Sequence, residues 1–172
     1  MSLNYFELFG LSQTYDIDFA TLEVSYRKIQ SDNHPDRFVT ASAGEKLASM
    51  QTATIANEAY QTLKSSGFRG AYLLGLNGIT AIDEKNNQMP ADFLIQQMEW
   101  REAIEDAENM RNIPALEYLL DEIANESKEL QNTISTQFKQ NLLADATNST
   151  RKMIFMDKVR ADIIKTIEKL ED

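Results

Sequence analysis

Apolar residues recur along this chain at helical spacing rather than in strict alternation, and the runs are bounded by recognisable start and stop signals. Near the beginning, Tyr5-Phe6-Glu7-Leu8-Phe9 reads as one short helical segment. Asp18 is placed to cap a long helix. Ile17 and Leu22 stand at the spacing of a hydrophobic staple, and Leu22, Tyr26 and Ile29 continue the apolar face. Pro35 ends this helix, because the residue before a proline disfavours the α region. A loop follows, from about Asn33 to Ala41. Ser42-Ala43-Gly44-Glu45 is a capping box that opens a second long helix. Leu47, Met50, Thr54, Ala59 and Leu63 are predicted as its apolar stripe, with Ile55 and Tyr60 at the margins, and Gly67 as the residue that closes it. The two helices form an antiparallel hairpin, and Phe68 to Leu76 forms another short helix.

Residues 77–91 hold Asn77-Gly78, the polar run Asp83-Glu84-Lys85-Asn86-Asn87-Gln88 and Pro90, which together mark the best domain boundary. The expected division is 1–78, a linker over 79–90, and 91–172. Beyond the linker the pattern predicts helices over 91–110, with Pro90 near its first position, then 113–143 and 149–170. Leu116, Leu120, Ile123, Leu130, Ile134 and Phe138 are the stripe of the second, and Met156, Val159, Ile163, Ile167 and Leu170 that of the third. Connections this short favour an antiparallel three-helix bundle. The fold class is therefore all-α, a helical hairpin followed by that bundle, with no strand pattern and no internal repeat.

Composition agrees: helix formers dominate, with three prolines and six glycines. Cysteine is absent, which excludes disulfides, thiolate zinc sites and Cys-ligated clusters, and a single histidine makes a zinc site a poor candidate. Neither a metal nor another cofactor is implied. The net charge is −10. Residues 1–78 carry 6 basic and 8 acidic side chains, and residues 79–172 carry 11 and 19. Phosphate backbones repel such a chain, so nucleic acid is not an expected partner. No apolar run approaches the ~20 residues of a membrane span. The N-terminus lacks the features of a signal or transit peptide, which points to the cytoplasm.

His34-Pro35-Asp36 sits in the turn of the hairpin. As bare chemistry it reads two ways. It is a turn in which Asp36 accepts a backbone N–H, or an outward loop whose polar side chains meet a partner. The surroundings separate the two. Tyr26-Arg27-Lys28-Ile29 before the loop, Arg37-Phe38 after it, and Ile55-x-Asn57-Glu58-Ala59-Tyr60-x-x-Leu63 on the next helix resemble the J-domain pattern at the right spacings. Tyr5-Phe6-Glu7-Leu8-Phe9-Gly10-Leu11, Arg69-x-Ala71-Tyr72-Leu73-Leu74 and the long acidic second half resemble the HscB subfamily, so the resemblance covers nearly the whole chain.

That resemblance implies a non-enzymatic co-chaperone. Such proteins stimulate ATP hydrolysis in a specialised DnaK-class chaperone, HscA, and deliver to it the IscU-type scaffold on which iron–sulfur clusters are built. It implies that Asp36 offers its carboxylate to an arginine of the chaperone, that His34 hydrogen-bonds across the docked surface, and that Pro35 keeps the loop preorganised. Arg27, Lys28 and Arg37 then supply positive charge that speeds encounter. The sequence departs from most J-domains just before the histidine, where Asp32 and Asn33 stand in place of a lysine and an aromatic. The basic face is correspondingly thin, as suits a specialised partner.

In the second half, a helical wheel groups Phe93, Trp100, Ile104 and Ala107 as a core stripe. Leu94, Ile95 and Met98 fall on the other side, together with Glu99, Glu102, Glu105 and Asp106, and Phe155 sits about 90° from the core stripe of the last helix. Apolar groups beside carboxylates suggest a binding surface. Packing against the linker, or a wide core stripe in the case of Phe155, is the competing reading of the wheel. The HscB resemblance implies scaffold docking at Leu94, Ile95, Met98, Glu99, Glu102, Asp106 and Phe155. Other readings of the chain are a general J-domain co-chaperone with a different client, a stand-alone structural bundle, and an enzyme using His34 as a base oriented by Asp36. The last lacks any accompanying nucleophile motif, phosphate loop or metal cluster.

Overall fold

The computed structural model describes residues 3–83 and 88–172, so Glu84 to Asn87 of the polar run lie outside the described residues. Among the described residues every regular element is helical: α1 (Tyr5–Leu8), α2 (Phe19–Asp32), a 3-10 turn (Pro35–Phe38), α3 (Ala43–Lys64), α4 (Ser66–Leu76), α5 (Ala91–Asn109), α6 (Ile113–Lys139) and α7 (Leu143–Glu171).

The start signals act as their chemistry dictates. Asp18 caps α2 by accepting the backbone N–H groups of Ala20 and Thr21, and these bonds, with one from the Thr21 hydroxyl, hold its carboxyl below the usual carboxylate range. Ser42 and Glu45 satisfy each other's backbone donors at the head of α3. Pro90 is the N-cap of α5, one position outside the expected one. Helix ends rest on left-handed residues. After α6, Asn141 has φ 57° and Leu142 N–H donates to Gln137 C=O at 2.8 Å; after α5, Arg111 has φ 51° and Asn112 N–H donates to Ala107 C=O at 2.8 Å. This stop at Asn141 corrects the expected helix boundaries. The second bundle helix ends at Lys139 rather than 143, and the third begins at Leu143 rather than 149.

The bundle core follows its predicted stripes except at the end of α6, where Ile134 and Phe138 pack in the hairpin core instead. Phe93, Trp100, Leu116, Ile123, Met156, Val159, Ile163 and Leu170 are buried together, with Ile104, Leu120, Leu130 and Ile167 packed against them. The hairpin differs from expectation. Of the expected stripe Ala59 and Leu63 are buried, whereas Leu47, Met50 and Thr54 are exposed, as is Ile55, and α3 also buries Ser49, Ala56 and Tyr60. Helices α1, α2 and α4 and the 3-10 turn pack against α3. Tyr26 stacks on Tyr60 with ring centroids 4.1 Å apart and donates its hydroxyl to Asn57 at 3.1 Å.

Gly67 does not close α3. Ser65 both ends α3 and caps α4, and Gly67 lies inside α4 against α7. A methyl group on Gly67 would fall 2.8 Å from the Ile154 Cα, and one on Gly70 would fall 2.7 Å from the Thr150 hydroxyl oxygen. The two glycines, Gly67 against Ile154 and Asp157 and Gly70 against Thr150, let α4 and α7 approach closely. The Asp157 carboxylate then accepts from Gly67 N–H at 3.0 Å and from the Ser65 and Ser66 hydroxyls at 3.2 and 3.3 Å, so a residue of α7 finishes the N-terminus of α4. Ile134 and Met153, from α6 and α7, are buried in the same core as Phe6, Phe9, Leu22 and Leu63.

Arg69 is the buried charge of this region. Its guanidinium donates to Tyr15 C=O at 2.6 Å and Leu63 C=O at 2.8 Å and lies 4.7 Å from the centre of the Tyr15 ring. Burial pulls the Arg69 pKa down and pushes the Tyr15 phenol up to about 12.

Candidate functional site

The His34 loop projects from the free end of the α2–α3 hairpin. Asn33 caps the end of α2, and Pro35 occupies the first position of the following 3-10 turn, where its missing N–H costs nothing. The capping role inside the turn falls to His34: its Nδ1 accepts the Asp36 backbone N–H at 3.2 Å. Nδ1 also lies 3.6 Å from the Asp36 carboxylate, too far for a hydrogen bond. An accepting Nδ1 carries no proton, so Nε2 carries it and is the ring's donor. The Asp36 side chain is 89% exposed and caps nothing. The turn is thus held by backbone, proline and imidazole, while the carboxylate is left to the solvent.

Arg27, Lys28 and Arg37 are exposed on the same hairpin end, and Arg27 is loosely paired with Glu23 at 3.9 Å. A pair this open and this long adds little to stability.

On α5, Leu94, Ile95 and Met98 are 46%, 58% and 72% exposed, and Glu99, Glu102 and Asp106 are exposed beyond them. Phe155 is different. It is half-buried at the α5–α7 seam, where its ring meets Phe93 edge-on at 6.2 Å. It borders a shallow cleft with Gln97, Arg101 and Ile104. The two readings of Phe155 therefore coexist: one side of the ring packs on the core and the other lines the surface. Beside it Lys152 lies 5.8 Å from the centre of the Phe93 ring. Among the described residues no group of three or more His, Asp or Glu side chains is placed to hold a metal, and no helix is long and apolar enough to cross a membrane.

Sequence reasoning missed the surface formed by Val39, Leu47 and Met50 near the loop, because it assigned Leu47 and Met50 to the core. The recurrence of Ser49, Ala56 and Ala59 with Leu63 was the available signal for the true inward face.

Comparison with known proteins adds independent weight. Residues 89–164 match the HSCB C-terminal oligomerisation domain. The chain is 42% identical over 168 residues to a co-chaperone protein HscB homolog of Burkholderia thailandensis, covering 98% of this chain and 96% of that one. The counterpart in Burkholderia multivorans is 40% identical over the same length. Among solved structures, chaperone HscB from Vibrio cholerae superimposes with a TM-score of 0.81 at 32% identity, covering 98% of this chain and 99% of that chain. Human co-chaperone protein HscB superimposes with a TM-score of 0.83 at 30% identity, covering 94% and 81%.

Proposed function

This chain belongs to the HscB co-chaperone family, and on that premise we propose that it stimulates ATP hydrolysis by a DnaK-class, HscA-type chaperone and delivers an IscU-type iron–sulfur scaffold protein to it. Residues 1–78 dock the chaperone, residues 91–172 dock the scaffold, and 79–90 connect them. The protein acts in the cytoplasm and performs no chemistry of its own; its effect is on the partner's ATPase.

The observation that carries this reading is the His34-Pro35-Asp36 turn, its backbone capped by the His34 imidazole and its Asp36 carboxylate open to solvent. A carboxylate held outward on a preorganised turn can accept a bidentate pair of bonds from an arginine without first ordering a flexible loop. His34 offers its Nε2 proton beside it, and Arg27, Lys28 and Arg37 favour approach to an acidic chaperone face. On the bundle, Leu94, Ile95, Met98 and the open side of Phe155 would be covered by the scaffold, with Glu99, Glu102 and Asp106 meeting basic residues at the rim.

The test is single-turnover ATP hydrolysis by an HscA-type chaperone with and without this protein. Asp36→Asn should abolish the stimulation while leaving the helical circular dichroism unchanged, because the side chain supports nothing in the fold. Wild-type stimulation by Asp36→Asn would refute the assignment of the loop.

A further inference from the structure

Where the end of α3 and the start of α4 meet α7, a cleft of about 420 Å³ collects cations in a chain whose net charge is −10. Lys64 of α3, Arg69 of α4 and Arg160 of α7 all line it. Among the described residues none of the three forms an ion pair. Arg69 carries the most weight. It is 3% exposed, and its guanidinium donates to two neutral carbonyls rather than to a carboxylate. Buried charges are ordinarily paired, because an uncompensated one keeps most of its desolvation cost. None of the residues proposed to meet the chaperone or the scaffold lines this cleft.

The lining shows what would complete it. Its one carboxylate, Asp157, is already committed to Gly67 N–H and to the Ser65 and Ser66 hydroxyls. That contact closes the N-terminus of α4, so the helix end is no part of the site. Three cations against one carboxylate leave the lining about two charges positive. A phosphate group carries about −1.5 to −2 at neutral pH and offers three strong acceptor oxygens, whereas a single carboxylate would neutralise only half of the excess. Phe19 and Ile164, 50% and 40% exposed, give the charged cleft an apolar rim, and the Phe19 ring lies 5.4 Å from the Arg69 guanidinium. A few convergent charges with apolar walls are the make-up of a small-molecule site.

We propose that this cleft binds a phosphate dianion, either free or as the terminal group of a small molecule whose flat body rests on Phe19. Lys64 and Arg160, both exposed, supply charge-assisted bonds to the phosphoryl oxygens, and Arg69 stands behind them as a fixed positive charge. A bound phosphate would tie the end of α3 to α7.

The test is a titration of the full-length protein with sodium phosphate and with phenyl phosphate, followed by amide NMR shifts at constant ionic strength set with sodium chloride. Both should give saturable shifts confined to residues around 64–69 and 157–164. Lys64→Gln with Arg160→Gln should raise Kd for both ligands by about tenfold or more. Lys64→Arg with Arg160→Lys keeps the charges and should still bind. Lys158→Gln, the same loss of charge on α7 but outside this cleft, should change nothing. All of these variants should melt with the wild type, because the side chains are exposed. Phe19→Ala identifies the source: weaker binding of phenyl phosphate alone supports the flat-bodied ligand, and unchanged binding of both supports free phosphate. Shifts that never saturate, that sodium chloride alone reproduces, or a Kd that Lys158→Gln raises as much as the cleft pair does, would overturn the proposal.

Discussion

Helices α6 and α7 of the bundle bury large aliphatic side chains such as Leu116, Ile123 and Ile163, whereas α3 of the hairpin turns Ser49, Ala56 and Ala59 inward and leaves Leu47 and Met50 outside. The bundle helices run 27 and 29 residues and each has neighbours on two sides. Their space is wide and is filled by aliphatics at regular spacing. The hairpin space is filled largely by aromatic rings, Phe6, Phe9 and Tyr26 from other elements and Tyr60 from α3 itself, and beside Tyr60 and Leu63 α3 contributes the small residues Ser49, Ala56 and Ala59. A wheel weighted by hydrophobicity finds the inward face of the first kind of helix. On the second it also picks up exposed residues such as Leu47 and Met50.

The largest effect that can break this comparison is on stability. Ile163→Ala should cost about 2–5 kcal/mol by urea denaturation, and Leu47→Ala less than about 0.5 kcal/mol. Equal costs would mean that Leu47 packs in solution after all. The next effect is on binding. Under the proposed function, Leu94→Ala with Met98→Ala removes apolar groups each worth about 1.5–3 kcal/mol when covered, while Glu102→Ala removes a rim charge worth about 0.2–1 kcal/mol. Calorimetry with the scaffold protein should rank them in that order, and only the Glu102 contribution should fade with salt. Phe155 is a poorer probe, because its contact with Phe93 links binding to stability.

A third effect concerns the close contact of α4 with α7. Gly67→Ala should destabilise by about 1–3 kcal/mol through overpacking against Ile154. Gly44→Ala, also helical but facing open space, should be neutral or mildly stabilising. The smallest effect is at the α6 stop. Asn141→Gly should raise stability by less than about 1 kcal/mol, since glycine holds a φ of 57° without strain. A loss there in thermal melts would show that the Asn141 side chain is needed for the turn.

Much of this molecule was legible before its structure. The caps at Asp18 and Ser42, the hairpin and most of the bundle stripes follow from local chemistry that a sequence displays, while the outward reading of the loop came from the family resemblance. The errors share one cause. Gly67 looked like a helix stop because glycine commonly is one, and only the approach of α7 reveals its use as a contact. The last helix was expected from 149, yet it begins at Leu143 and buries Thr147, Ser149 and Thr150 within it. In each case the decisive partner lies far away along the chain. The candidate surfaces fared in the same way: exposure of Leu94, Ile95 and Met98 was readable from one helix, but the half-burial of Phe155 depends on two.

The cap that Asp157 places on α4 also sets a clock on synthesis. The Gly67 N–H and its acceptor are 90 residues apart, and at ribosomal speeds that separation is on the order of ten seconds of translation. During that interval α4 emerges with an unfinished N-terminus, and Phe6 and Leu63 wait for Ile134 and Met153 to close over them. The first-made third of the protein therefore reaches its final packing only after most of the last helix, α7, has left the ribosome, so a nascent or prematurely terminated chain presents its His34–Asp36 loop on a core that has not yet set.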